Sequence, residues 1–230
     1  MDVRYFLKKR TDFLRRHYDT IARAFDNEQR KIQENETHYE NPEYTEDPEP
    51  PFVEEWMEAE TSKNLTGLAC ISMLSEALKL YFEEVRLDIG FEFDEPKKVF
   101  KRGFVEPYRE ALGEIFETTW TDAGIDFAFI EQIVLARNLA QHGGCITSWD
   151  ITYDAHTLEK HKTPFFADAD ELEEIPNIES ASFSFLAPSI NVTRERLFAA
   201  LDEVDKLADW IEENINRARS WRKKSGASIR

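Results

Sequence analysis

Residues 126–144 read DFAFIEQIVLARNLAQHGG, one helix whose body is apolar nearly all the way round: Phe127, Phe129, Ile130, Ile133, Val134, Leu135, Ala136, Leu139 and Ala140. A chain in water tolerates such a rod only where other elements cover it on most sides, so the stretch predicts the central helix of an all-α bundle. Gly143 and Gly144 then stop it, the second as the left-handed glycine that ends many helices. Before the stop come Arg137, Asn138, Gln141 and His142. Polar groups at the end of a buried rod need a reason, because burying them unpaired is costly.

Outward from this rod the chain supplies its partners. Residues 3–36 predict a long helix, with Leu7, Leu14, Tyr18, Ile21 and Phe25 at helical spacing. Residues 38–52, HYENPEYTEDPEPPF, hold four prolines among acids and predict a loop that neither a helix nor a central strand can cross. A second long helix begins near Phe52 and ends around Gly90; Ile71, Leu74, Leu78, Tyr81 and Val85 repeat at three and four residues, a seam for a nearly antiparallel partner. Val99 to Phe116 predicts a third helix, with Pro107 at an interruption or restart.

Residues 145–191 form an insertion in which CITSWDITY and ASFSFLA predict two short strands, a small β-hairpin or an irregular arm. Thr193 caps a final helix whose Leu197, Leu201, Val204, Ala208, Ile211, Ile215 and Ala218 follow a heptad, to be buried against the bundle or a second subunit. Residues 222–230 predict a flexible basic tail. With no internal repeat and no second composition regime, residues 1–230 are expected to form a single helical domain.

Charge narrows the function. A formal charge of −17 argues against a protein that grips nucleic acid with its whole surface. The basic residues gather at the ends, with Arg4, Lys8, Lys9, Arg10, Arg15, Arg16 and Arg23 at one and Arg217, Arg219, Arg222, Lys223 and Lys224 at the other. Cys70 and Cys145 lie far apart without a CxxC or a histidine pattern, which offers neither a disulfide framework nor a structural zinc site. The acidic runs EDPEPPFVEEWMEAE and ADADELEE lack the alternation and glycine of a calcium loop, so no cofactor or metal is expected. No apolar run approaches membrane-spanning length, and MDVRYFLKKRTDF is charged where a signal peptide is apolar; no membrane partner and a cytoplasmic location are expected.

Arg137-Asn138-Leu139-Ala140-Gln141-His142, at the end of a buried helix in an all-α chain, resembles the signature of the HEPN superfamily: Arg, commonly with a polar residue just after it, then four to six residues, then His. Long helices before the motif and an amphipathic helix after it extend the resemblance over most of the chain. The spacing alone is loose, since Arg10 and His17 also satisfy it; the adjacent Asn and the helix end make the difference.

The resemblance implies a metal-independent endoribonuclease, a toxin or antiviral defence effector, acting as a homodimer on RNA and controlled by an antitoxin or regulatory protein. It makes Arg137, Asn138 and His142 the catalytic residues, with Gln141 in support. Arg137 would bind phosphate, His142 act as general acid and base, and Asn138 orient one or both. Gly144 stands where nucleotidylated toxins of this superfamily carry a tyrosine, so that mode of control is not implied. Two other functions fit the same residues: a catalytically inactive HEPN-like module for protein interaction or ligand sensing, associating through the final heptad, and an acidic mimic of nucleic acid.

Overall fold

A computed structural model describes residues 2–40, 49–142, 148–173 and 187–225. Among them the helices are α1 (Val3–Gln33), α2 (Val53–Ile89), α3 (Pro96–Val99), α4 (Val105–Phe116), α5 (Phe127–His142), α6 (Ala155–Lys160), α7 (Ala169–Glu173) and α8 (Arg194–Ser225), with 3-10 turns at Thr37–Tyr39 and Phe100–Arg102. The architecture is all-α.

α1 opens on an Asp2 carboxylate that accepts from the Tyr5 N–H at 2.9 Å. It closes three residues earlier than its apolar period suggests, because Asn35 turns left-handed (φ 53°) and the Glu36 N–H bonds back to the Lys31 carbonyl at 2.9 Å. α2 returns antiparallel to α1: Gln29 bonds to Glu60 near one end, and Leu7 and Tyr81 share a groove near the other. Gly90, at φ 80°, ends α2 where the sequence predicts.

The bundle's centre is α2 rather than the 126–144 stretch. Cys70, Ile71, Leu74, Leu78 and Phe82 are fully shielded, and α1, α5 and α8 all pack on α2. α5 buries Phe127, Ile130, Ile133, Val134 and Ala136, but Leu135, Leu139 and Ala140 are only half-buried. Counting apolar residues overstated its enclosure; Ala and Leu near a helix end need only partial cover. α2 is also long and apolar enough to cross a membrane by length and composition, against the expectation from sequence; here 56% of its most apolar window is buried within the fold.

The predicted third helix is two. Gly103 at φ 94° breaks it after the 3-10 turn, and α4 restarts with Pro107 in its first turn, where a missing N–H costs no hydrogen bond. The Trp120 indole donates to the Arg109 carbonyl at 2.8 Å and joins an aromatic cluster with Phe127 and Trp210, which ties α4, the following turn, α5 and α8 together.

In the insertion the described residues form no strand. One antiparallel bridge, Thr152 to Ser189, and the bond from the Ile190 N–H to the Ile151 carbonyl at 2.7 Å stand in place of a hairpin. Cys145–Thr147 and Ala181–Leu186, which carry much of the two predicted strands, lie outside the described residues, as do Gly143 and Gly144. Arg196 fastens the insertion to α8, donating to the Asp168 carboxylate at 2.7 Å and the Ala167 carbonyl at 2.8 Å.

α8 starts on Thr193, whose hydroxyl accepts from the Arg196 N–H at 3.3 Å. Leu197, Leu201, Val204, Ala208, Ile211 and Ala218 are buried in the bundle, so the heptad is an internal seam and not an association surface. Along α1 an ion-pair ladder secures it: Lys8 to Asp209 at 2.6 Å, Arg15 to Asp205 at 3.0 Å, Arg194 to Asp19 at 2.7 Å. Of the N-terminal cations, Arg4, Lys8 and Arg15 are thereby matched within the fold. α8 continues through Arg222 to Ser225, into the predicted tail; residues 226–230 lie outside the described part.

Candidate functional site at the end of α5

The last two turns of α5 grade from half-buried to exposed. Arg137 and Asn138 are half-buried, whereas Gln141 and His142 are exposed. Arg137 donates through Nη1 to the Asn138 Oδ1 at 3.0 Å. The pairing uses one lone pair of the amide and fixes the guanidinium beside the helix, leaving its remaining donors for other acceptors. The structure therefore brings Arg137 and Asn138 together. Among the described residues no hydrogen bond joins His142 to either of them.

Helix geometry explains the division. Asn138 and His142 are four residues apart, about 40° around the axis and about 6 Å along it, so they share a face. Arg137 and His142 diverge by roughly 140°. A long guanidinium stem can reach around the helix end, but one helix does not aim both groups at one atom. A second copy, or a substrate that wraps the end, has to close that angle.

The face that carries Asn138 and His142 also carries Glu131, seven residues before Asn138 and so about 10 Å down the helix. There the fold builds a cluster that sequence spacing did not reveal. His161 at the end of α6 is only 9% exposed in its side chain, with Nε2 3.3 Å from Glu131 Oε2 but off the line of a hydrogen bond. Lys160 pairs with the other Glu131 oxygen at 2.5 Å. With Arg109, Glu106 and Trp120 they line a cleft of about 610 Å³ between α4, α5 and α6. Thirty residues separate Glu131 from His161, so no local period links them; only the docking of the insertion onto α5, through the Phe165 N–H donated to Gln132 Oε1 at 2.7 Å, makes them neighbours.

The remaining sequence candidates are dispersed. His17 stacks on Phe13 at 5.4 Å, which accounts for the second Arg–His spacing as part of the α1 surface. His38 lies in the Thr37–Tyr39 turn. Cys70 is fully buried, and burial pushes its thiol up to about 11, which makes it a poor nucleophile; Cys145 lies outside the described residues. Among the described residues no group of three or more His, Cys, Asp or Glu side chains could hold a metal ion.

Compared with known proteins, the chain matches no family model, no curated protein and no solved structure.

Proposed function

We propose that the end of α5 is the active site of a metal-independent endoribonuclease of HEPN type, working as a homodimer in a toxin or antiviral defence system. The observation that carries this reading is the Arg137–Asn138 pair, a guanidinium positioned by its neighbour's amide, one turn from the solvent-exposed His142.

The chemistry asks for little more. The RNA 2′-hydroxyl attacks the adjacent phosphorus; the O2′–P bond forms and the P–O5′ bond breaks. A base takes the hydroxyl proton and an acid returns one to the departing 5′ oxygen, leaving a 2′,3′-cyclic phosphate and a 5′-hydroxyl. Imidazole serves both proton transfers. A guanidinium meets the charge that builds on the phosphoryl oxygens. In this scheme His142 transfers protons, Arg137 binds the phosphate, Asn138 holds Arg137 in place and Gln141 adds a donor at the rim. The divergence of Arg137 and His142 around the helix makes a second copy part of the scheme.

The test is purified protein incubated with mixed RNA in excess chelator, wild type beside His142→Ala. Cleavage by the parent that falls by about 10²-fold or more in a variant with unchanged circular dichroism supports the reading. Equal cleavage by the two proteins removes His142 from the mechanism.

A further inference from the structure

The large apolar side chains left exposed are not scattered. Of the eight among the described residues, seven lie on two adjacent helices: Tyr5, Phe6 and Phe13 on α1, and Met57, Met73, Leu80 and Leu87 on α2, each between 39% and 62% exposed; Met57 stands apart from the seven-residue spacing of the other three on α2. Phe6 and Phe13 are seven residues apart, as are Met73, Leu80 and Leu87, so each set runs along one helix face with a drift of about 20° per step. The two helices are antiparallel neighbours, and between the stripes lies a groove of about 360 Å³ with Leu7 and Ala77 among its walls and Arg10 and Glu84 at its rims. Isolated exposed apolar residues are ordinary; two parallel stripes around a groove are not.

The charges beside the stripes have opposite signs. Exposed Lys9, Arg10 and Arg16 flank Phe6 and Phe13, with Asp12 the exposed acid beside them, while exposed Glu76, Glu84 and Asp88 flank the α2 stripe, with Lys79 the exposed base beside them, so basic charge leads on α1 and acidic on α2. Arg10, Arg16, Glu76, Glu84 and Asp88 join no ion pair among the described residues, in contrast to Lys8 and Arg15 on the α8 side of the same helix. A uniformly basic or acidic partner would satisfy one rim and oppose the other. A second copy of this chain satisfies both, because a two-fold axis along the helix pair sets α1 on the partner's α2 twice, apolar stripe on apolar stripe and basic rim on acidic rim. Rotation about such an axis keeps every residue at its own height, so Arg10, which shares the groove with Glu84, meets the partner's Glu84.

We infer that the outer face of α1 and α2 is the docking surface for a second copy of this chain. The stripe on α2 from Met73 to Leu87 is about 21 Å long, a small patch, so the contact belongs to the micromolar class of affinity. The inference does not rest on ribonuclease activity, because its readout is molecular mass.

The experiment is sedimentation equilibrium of the full chain from about 1 to about 200 μM in 0.15 M salt. Expected is a rise from 27.0 kDa toward twice that mass. Leu80→Glu, at an exposed position, should keep its helical spectrum and weaken association at least about 100-fold. Arg10→Glu and Glu84→Arg should each weaken it about 10-fold, and the double variant should recover most of the loss. A wild type that stays monomeric throughout, a Leu80→Glu variant that associates like the parent, or reversals that weaken association without recovery would overturn the inference. Cleavage that depends on His142 in a strictly monomeric protein would keep His142 in the ribonuclease chemistry, remove the second copy from that scheme, and overturn this inference.

Discussion

Asn138 touches Arg137 and is one turn from His142, so in the proposed mechanism it holds a group that acts rather than acting itself. Loss of Arg137 in Arg137→Ala should lower kcat/KM on an RNA oligonucleotide by about 10²- to 10³-fold, and Asn138→Ala by about 10-fold. The double variant should be no worse than Arg137→Ala alone, since Asn138 works through Arg137. Additive losses would show that the two act separately. A second residue test concerns Asp205, where burial pushes the carboxyl above the usual range although Thr11 at 2.8 Å and Arg15 at 3.0 Å pull it back. A pKa raised in the folded state means that the fold holds this proton more tightly than the unfolded chain does. The resulting stability is present below the ordinary aspartate range and lost as pH rises through the raised value. The urea midpoint of Asp205→Asn relative to wild type should therefore be higher at pH 7 than at pH 4; the opposite trend would mean that the Arg15 pairing outweighs burial. At this scale the motif was legible because Arg137, Asn138, Gln141 and His142 are close in sequence. Glu131 with His161 was not, since their meeting depends on how the insertion docks.

Among the elements, α2 comes close to the segment before α8 at Gly67. A Cβ on Gly67 would lie 2.4 Å from the Val192 carbonyl oxygen and 2.8 Å from that residue's Cβ. Gly67→Ala gains helix propensity but must push the backbone before α8 away, and overpacking of this kind costs about 1–3 kcal/mol. A lowered urea midpoint is expected; a raised one would mean that the segment yields freely. Leu201→Ala tests the placement of the α8 heptad. Leu201 is fully buried, so truncation should cost about 2–5 kcal/mol and leave the oligomeric mass unchanged. A loss of association without loss of stability would put the seam back at a subunit interface. The sequence placed α1, α2, α5 and α8, through apolar period, the Thr193 cap and the Gly90 stop, with the end of α1 and the end of α8 off by three and four residues. It misranked α2 and α5, because period and apolar count report that a helix is covered but not by how many neighbours. The restart with Pro107 in a first turn was legible, but not that the break falls at Gly103, since a lone glycine within a helical pattern leaves its φ undecided.

For the whole molecule, a charge of −17 and the proposed RNA substrate pull in opposite directions. The fold pairs Lys8 and Arg15 with acids of α8, and leaves Lys9, Arg10, Arg16 and Arg23 in no ion pair among the described residues. On the proposed reading, RNA is held locally at the end of α5 rather than by the acidic body. All-α architecture was readable from composition and period. A functional surface was readable only where residues adjacent in sequence form it, which is why the helix-end motif appeared and the α1–α2 face did not. The central claim, that the end of α5 performs 2′-hydroxyl attack on a neighbouring phosphate, is tested most directly by the ends left on a cleaved RNA. A substrate cut in excess chelator should carry a 2′,3′-cyclic phosphate and a 5′-hydroxyl, and one 2′-deoxy nucleotide at the cut site should abolish the cut. Fragments ending in a 3′-hydroxyl and a 5′-phosphate, or undiminished cleavage at the deoxy position, would contradict it.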